Sequence, residues 1–314
     1  MLGRSRGFGA ALLAYAAWGF FPLYFKALPG VPAFEVLAHR ILWSLVLLCL
    51  VSPLLSRFGT ARHALGKTKR LSMVASALLL ATNWVTYIWA VQEGRVVEAS
   101  LGYFVNPLLS VLLGVVFLRE RLRRPQLLAI ALAAVGIVVL IVRLRALPWL
   151  PFTLALSFGL YGLVRKRAGV DPIGGLLAET AILAPLALGL VLFRARAGVG
   201  AFGHDLRTSA LLAAAGPITT VPLVWFAVGV RQLPLSTVGI LQYLTPTLQF
   251  LLGALLYREP FGPAQALAFA FIWAGLAIYT FDFIRTSRPA PPAAAAVPPL
   301  EGRGGTLDRP GSDA

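Results

Sequence analysis

The chain lacks most of what a water-soluble catalyst uses. It has one cysteine, Cys49, so no intrachain disulfide can form. Its three histidines, His39, His63 and His204, lie on different segments, and no spacing among them suits a metal ion. Acidic residues number 12, and charged residues make up only 13% of the sequence, about half the share of a soluble domain. A nucleotide-binding loop is missing as well. The stretch from Ala61 to Thr68 is a loose match that lacks the first glycine, with no strand before it. These absences argue against a soluble enzyme, a metal site, a cofactor and an ATP-driven module.

The sequence is dominated by apolar residues, at 58% of 314 residues and a mean hydropathy of +0.80. A membrane span needs about 20 mostly apolar residues. Ten stretches qualify, at 8–25, 34–55, 71–91, 97–118, 126–142, 149–164, 175–193, 210–229, 237–257 and 264–284. The expected fold class is therefore an all-α integral membrane protein with ten transmembrane helices. The basic start resembles a signal peptide, but nine further spans follow, so an uncleaved first helix is the better reading. Residues 285–314, rich in Pro, Ala and Gly, read as a disordered cytoplasmic tail.

The net charge of +16 invites a nucleic-acid reading, but the placement of the charges answers it. With the N-terminus inside, 19 of the 28 Lys and Arg residues fall in inner segments and 8 in outer ones, Arg40 lying within a span. This positive-inside bias puts both termini in the cytoplasm of a cell with the protein in its inner (plasma) membrane. Three arginines of the 194–209 loop run against the bias. The expected partners are the lipid bilayer and a small-molecule substrate, with no nucleic acid, and the protein acts as a monomer or homodimer.

The chain also repeats itself. Shifted by 139 positions, Pro107 falls on Pro246, Leu109 on Leu248, Gly114 on Gly253, Arg119-Glu120 on Arg258-Glu259 and Gly136 on Gly275. Five spans per half is an odd number, so the second half enters the membrane from the opposite side. Residues 1–148 and 149–284 are thus expected to form two inverted five-helix repeats, with a site at their interface. A proline inside a helix frees the carbonyl four residues earlier. Pro107 frees that of Tyr103 and Pro246 that of Gln242, and such carbonyls need a partner in lipid. With their neighbours Asn106 and Tyr243, these residues are candidates for the substrate pathway; ordinary kinks in packed helices are the plainer reading. Ala129, Ala133 and Gly136, with Ala266, Ala270 and Ala274, give small residues at helical spacing for close packing, with dimer contact as a second use.

The remaining candidates are polar groups placed in apolar spans. Trp18, Asn83 and Trp84 lie deep enough to line a cavity, whereas Trp89 and Trp149 suit an interfacial aromatic belt. Glu35 and His39 share a helix face, and Arg40 points about 100° away. An arginine near a span centre costs roughly 2.5–3.5 kcal/mol on insertion scales. Arg40 has two readings, an interfacial anchor or an anion-attracting residue of the outer vestibule. Lys26, Glu35, His39, Arg40 and Glu98 reach one depth from three segments, and the expectation is a gating network with Arg40 held by Glu98 or Glu35, although Lys26 and Arg95 are also within reach of Glu98 as partners. Glu179 is the related carboxylate near the inner end, and a partly buried carboxylate can carry a coupling proton.

Several runs resemble the EamA families of the drug/metabolite transporter superfamily, and their RarD branch most closely. They are Ala17-Trp18-Gly19 through Pro22, Phe34-Glu35 through Ser44, Asn83-Trp84, Glu98 through Pro107, Tyr161 through Lys166, Thr219 through Leu223 and Phe269 through Trp273. The resemblance covers residues 8–284. It implies an inner-membrane permease and supplies neither a substrate nor established catalytic residues. The expected function is a secondary transporter, an exporter of small organic metabolites or drugs by alternating access, with proton coupling as one driving force. A membrane-embedded lipid-modifying enzyme would need a cluster of histidines or carboxylates at one membrane face. A non-transporting scaffold would not need ionisable groups inside spans.

Overall fold

The computed structural model describes residues 2–51, 66, 69–118, 123–145, 147–170, 172–232 and 241–286. Among these the chain is helical, with no strand. The elements are α1 (Leu2–Gly19), α2 (Phe21–Lys26), α3 (Ala33–Val51), α4 (Arg70–Gln92), α5 (Val96–Leu118), α6 (Arg124–Leu144), α7 (Trp149–Ala168), α8 (Pro172–Arg196), α9 (Leu206–Gln232), α10 (Leu244–Leu251), a π-helical turn (Leu252–Leu256) and α11 (Pro263–Thr286). Among the described residues seven helices are long and apolar enough to cross a membrane: Arg6–Lys26, Ala33–Leu50, Arg70–Gln92, Arg124–Arg143, Ile173–Arg196, Leu206–Phe226 and Pro263–Asp282. The segment Leu244–Leu256 is a shorter apolar helix. The opening residues of the stretch expected at 237–257 lie outside the described structure, as do the Ala61–Thr68 stretch (Gly66 excepted), the Arg119-Glu120 pair and the tail after residue 286.

Local signals account for the breaks. Gly19 ends α1, and Pro22 near the start of α2 has no N–H to lose from the preceding turn. Asp205 caps α9, its Oδ1 accepting from the Thr208 backbone N–H at 3.0 Å. Hydrogen bonds from Thr208 hold that carboxyl below the ordinary aspartate value. Pro246 does not kink a continuous helix as expected. Gln242 and Tyr243 form a turn and a helix begins at Leu244, so Pro246 occupies a first turn, where a missing N–H costs nothing. Pro107 lies within α5, and its side chain is outside the described structure.

The helices pack pairwise, with α1 against α9 and α10, α3 against α8 and α9, α4 against α7, α5 against α7 and α10, and α6 against α11. Contacts give their directions. Thr245 donates to the Tyr15 carbonyl at 2.8 Å and Gln249 to the Trp18 carbonyl at 3.2 Å, so α10 runs parallel to α1. Gly102 lies against Pro151 and Gly159 against Leu109 and Leu113, so α5 runs parallel to α7. The α3–α8 pair is antiparallel, with Glu35 and Arg194 at one end and Leu48, Leu176 and Leu177 at the other. Large apolar side chains such as Leu71, Phe193 and Leu255 point outward. That outer surface is unsuited to water and matched to lipid.

Backbones approach closely and reciprocally between α6 and α11. A Cβ on Gly136 would lie 2.9 Å from the Ala268 carbonyl oxygen, and one on Gly275 would lie 2.6 Å from that of Ala129. Ala129, Ala133 and Ala268 are buried in this seam. Ala266, Ala270 and Ala274, expected to share it, face outward instead. The buried stripe runs through Ala268, Ile272 and Gly275, two residues out of phase with the one chosen by size alone. Gly136→Ala and Gly275→Ala must each push a backbone apart and are expected to destabilise by about 1–3 kcal/mol. Gly189→Ala, where a Cβ meets nothing within 4 Å, should leave the melting temperature unchanged or higher. Thermal unfolding in detergent reads the difference.

Candidate functional site

Arg40 sits one turn beyond Val36 on α3, with only 5% of its surface exposed. Its guanidinium lies 3.9 Å from the ring of Trp84 on α4, and the rings of Phe21 and Phe25 on α2 are at 5.3 and 5.8 Å. Its Nε donates to Thr219 Oγ1 on α9 at 2.8 Å. Tyr24, Tyr87 and Tyr103 are within electrostatic range. Among the described residues no carboxylate reaches salt-bridge distance of Arg40.

This corrects the expected network. Glu35 does not hold Arg40. Its Oε2 accepts from Arg194 Nε at 2.8 Å, and its Oε1 accepts from the Ala201 backbone N–H at 2.6 Å. Glu98 pairs locally with Arg95 at 2.6 Å. The reason is directional. Glu35 faces α8 and the loop after it, whereas Arg40, about 140° further round α3, faces the aromatic cage. His39 stacks on Phe202 with centroids 5.0 Å apart, and its Nε2 is buried without a partner. Lys26 extends over the Tyr257 ring at 4.5 Å. Close by, Glu259 Oε2 accepts from the Val97 backbone N–H at 2.8 Å and caps α5. Burial raises the Glu259 carboxyl above its ordinary value, against that hydrogen bond and the Lys26 charge.

The other candidates fall into separate groups. Asn83 donates to the Leu154 carbonyl at 3.0 Å and to Ser157 Oγ at 3.1 Å, and it accepts from the Tyr103 hydroxyl at 3.1 Å. It locks α4, α5 and α7 together. Trp18 is half-buried between Tyr15 and Phe226. Asn106 is buried with its Oδ1 unpaired. Tyr243 turns toward the seam of α5, α6 and α11, away from the Arg40 cage, and Gln242 is half-buried at the turn before α10.

Glu179 lies on α8, 139 positions after Arg40, the same offset as the internal sequence repeat. It is completely buried. It accepts hydrogen bonds from Ser76 on α4 and from Tyr161 on α7, the latter at 3.4 Å, and Arg165 lies 3.7 Å away. Arg40 bonds the hydroxyl of Thr219 on α9, and Glu179 that of Ser76 on α4. The difference is charge compensation, which Glu179 has and Arg40 lacks. Sequence reading missed Thr219, Arg194, Arg165 and Glu259 as partners. The one available signal was the excess of arginine in the 194–209 loop, where Arg194 is accounted for by Glu35.

Buried polar atoms without a partner among the described residues include Ser44 Oγ on α3, Tyr87 OH on α4, Asn106 Oδ1 on α5, Thr220 Oγ1 on α9 and Gln249 Oε1 on α10. Toward the Lys26 end of the bundle a pocket of 760 Å³ opens, lined by Phe25, Lys26, Pro32, Val85, Trp89 and Trp149 among others. Phe25 belongs both to this pocket and to the Arg40 cage. Among the described residues no cluster of three or more His, Cys, Asp or Glu could hold a metal.

Comparisons with known proteins agree with this architecture. The EamA-like transporter family matches residues 5–142. An uncharacterized transporter of Pseudomonas aeruginosa is 45% identical over 91% of this chain and 97% of its own. The protein RarD of Streptomyces exfoliatus is 43% identical over 90% of this chain and 89% of its own. A solved crystal structure at 21% identity covers 90% of this chain and 99% of its own with a TM-score of 0.54, a likeness of fold alone. The relatives are named as transporters, in keeping with a non-enzyme, and the apolar helices make this a multi-pass membrane protein. The chain belongs to the EamA-like transporters of the drug/metabolite superfamily, in their RarD-type branch.

Proposed function

We propose that the protein is a secondary transporter of small organic solutes that works by alternating access between two inverted five-helix halves, residues 1–148 and 149–284. The observation that carries this reading is Arg40, a buried cation with no acidic partner among the described residues, caged by α2 and α4 of the first half and bonded to α9 of the second. A charge inside a membrane protein is costly and by default belongs to a substrate or ion path. The inverted arrangement draws support from three further features. Gly136 and Gly275 are repeat mates that press reciprocally on Ala268 and Ala129, themselves repeat mates. The α1–α10 and α5–α7 pairs, equivalent under the repeat, are both parallel. Arg40 and Glu179 occupy matched positions at opposite ends.

In this reading ten spans place both termini in the cytoplasm and the tail beyond residue 284 with them, in the inner membrane. The pocket near Lys26 is the outer vestibule, with Lys26 in its lining and Glu35, His39 and Glu98 as gating groups outside that lining. Trp18, Asn83, Trp84, Tyr103, Asn106, Pro107, Gln242, Tyr243 and Pro246 line or shape the pathway, and Glu179 closes its inner end. The driving force is a proton or solute gradient, and the direction is export. Two assays test the reading. A reporter active only in the cytoplasm is expected to work when fused after residue 284 and to be silent at residue 200. Proteoliposomes holding the protein are expected to move a labelled solute without ATP. The reverse reporter pattern would overturn the orientation, and no movement across a broad library of organic solutes would overturn the transporter reading.

A further inference from the structure

We infer that Arg40 is the anchor for a carboxylate group of the transported solute, so that the substrates are small organic carboxylates. The inference rests on the transporter reading and deepens it. Four observations point to it. First, the cation has no acidic partner among the described residues, although Glu35, Glu98 and Glu179 each have a basic one. A buried charge without a counter-charge needs its partner supplied from outside. Second, the guanidinium is held in a defined orientation, stacked 3.9 Å from the Trp84 ring with its Nε committed to Thr219 Oγ1. That leaves the end-on pair of Nη groups, with no hydrogen-bond partner among the described residues. A planar fork of parallel N–H donors matches the two oxygens of a carboxylate.

Third, the surroundings suit an anion attached to an apolar body. Phe21, Phe25, Trp84, Tyr87 and Tyr103 supply ring surface, and the buried Tyr87 hydroxyl, within electrostatic range of Arg40, has no partner of its own. Fourth, Ser44 lies one turn deeper on the Arg40 face of α3, fully buried with its hydroxyl unpaired. Such groups are satisfied by water or by solute. Phe25 belongs to both the cage and the 760 Å³ pocket, which gives a solute held at Arg40 a route out toward the Lys26 end.

The test separates the anion site from transport. Purified protein in detergent is titrated with acetate, benzoate and phenylacetate. Benzamide and inorganic phosphate are the comparison arms, and Trp fluorescence and the melting temperature are the readouts. Wild-type protein should respond to at least one carboxylate and not to the amide. Arg40→Met should bind that carboxylate about 10- to 100-fold more weakly, the loss of a charge-assisted pair, and Arg40→Lys, which keeps the charge and loses the fork, should fall between. Equal responses in wild type and Arg40→Met would overturn the inference. So would a response to phosphate or benzamide that exceeds every carboxylate, or no response to any carboxylate. Transport of neutral amides that survives Arg40→Met would sink the carboxylate assignment and leave the transporter standing. Carboxylate binding without transport of any solute would do the opposite.

Discussion

Replacing Arg40 by methionine is expected to abolish transport while leaving the protein as stable as the parent, or more so. The sign follows from what surrounds the side chain. Taking a guanidinium out of water costs several kcal/mol even after relaxation. In return the described structure offers one hydrogen bond, to Thr219, and the stack on Trp84. The bond contributes about 1–3 kcal/mol and the stack about 2 kcal/mol when desolvated. Methionine is of similar length, keeps apolar contact with Phe21, Phe25 and Trp84, and carries no desolvation penalty. A residue that is costly to the fold and retained at its centre is the signature of a site kept for function. Thermal unfolding in detergent and solute uptake in proteoliposomes, measured on the same preparation, read the two effects together. A drop in stability of about 3–5 kcal/mol, as when one member of a buried ion pair is removed, would show that Arg40 is structural.

Glu179→Gln is expected to do the reverse, although Glu179 stands 139 positions after Arg40, the offset of the sequence repeat. Its carboxylate is fully buried and receives hydrogen bonds from Ser76 and Tyr161, with Arg165 at 3.7 Å. Glutamine keeps the shape and can keep the two hydroxyl contacts, but it removes one buried negative charge 3.7 Å from Arg165, whose side chain is only 10% exposed. Breaking a pair of this kind costs about 3–5 kcal/mol. Ser76→Ala, which removes one donor and no charge, should cost about 1–3 kcal/mol. A lowered melting temperature for Glu179→Gln beside an unchanged or raised one for Arg40→Met would separate the two poles by role. Equal and small shifts in both would show that Arg165 does not depend on Glu179.

The helical plan could be read from the sequence because apolar length and charge placement are local properties. The stretches expected at 97–118, 126–142 and 264–284 correspond to α5, α6 and α11 within a few residues. Gly136 and Gly275 were visible as repeat mates, and each proved to be pressed against the other's helix. Pairing was not legible, because it depends on which way a side chain turns around its helix and on what arrives from far along the chain. Glu35 is 159 residues from Arg194, and Arg40 is 179 from Thr219. Counting charges at one depth therefore joined Arg40 to Glu98, whereas Arg95, three residues away, claims that carboxylate. Pro246 misled for a similar reason. Its effect depends on where the helix begins, and the turn at Gln242 and Tyr243 has no local marker strong enough to show it. Glu259, which caps a helix 162 residues away, was visible only as half of a repeated Arg-Glu pair.

The measurement that tests the account most directly is the accessibility of a single thiol beside Arg40 from each side of the membrane. Cys49, the one native cysteine, is replaced by alanine. Ser44→Cys then places a near-isosteric thiol one turn deeper on the Arg40 face of α3, at a site that is fully buried in the structure described here. Right-side-out and inverted vesicles are treated with a membrane-impermeant thiol reagent. If two inverted halves expose the Arg40 site in turn, the thiol is labelled from both sides, and slowly, because each opening is transient. Labelling from one side only, or from neither, would contradict alternating access at Arg40.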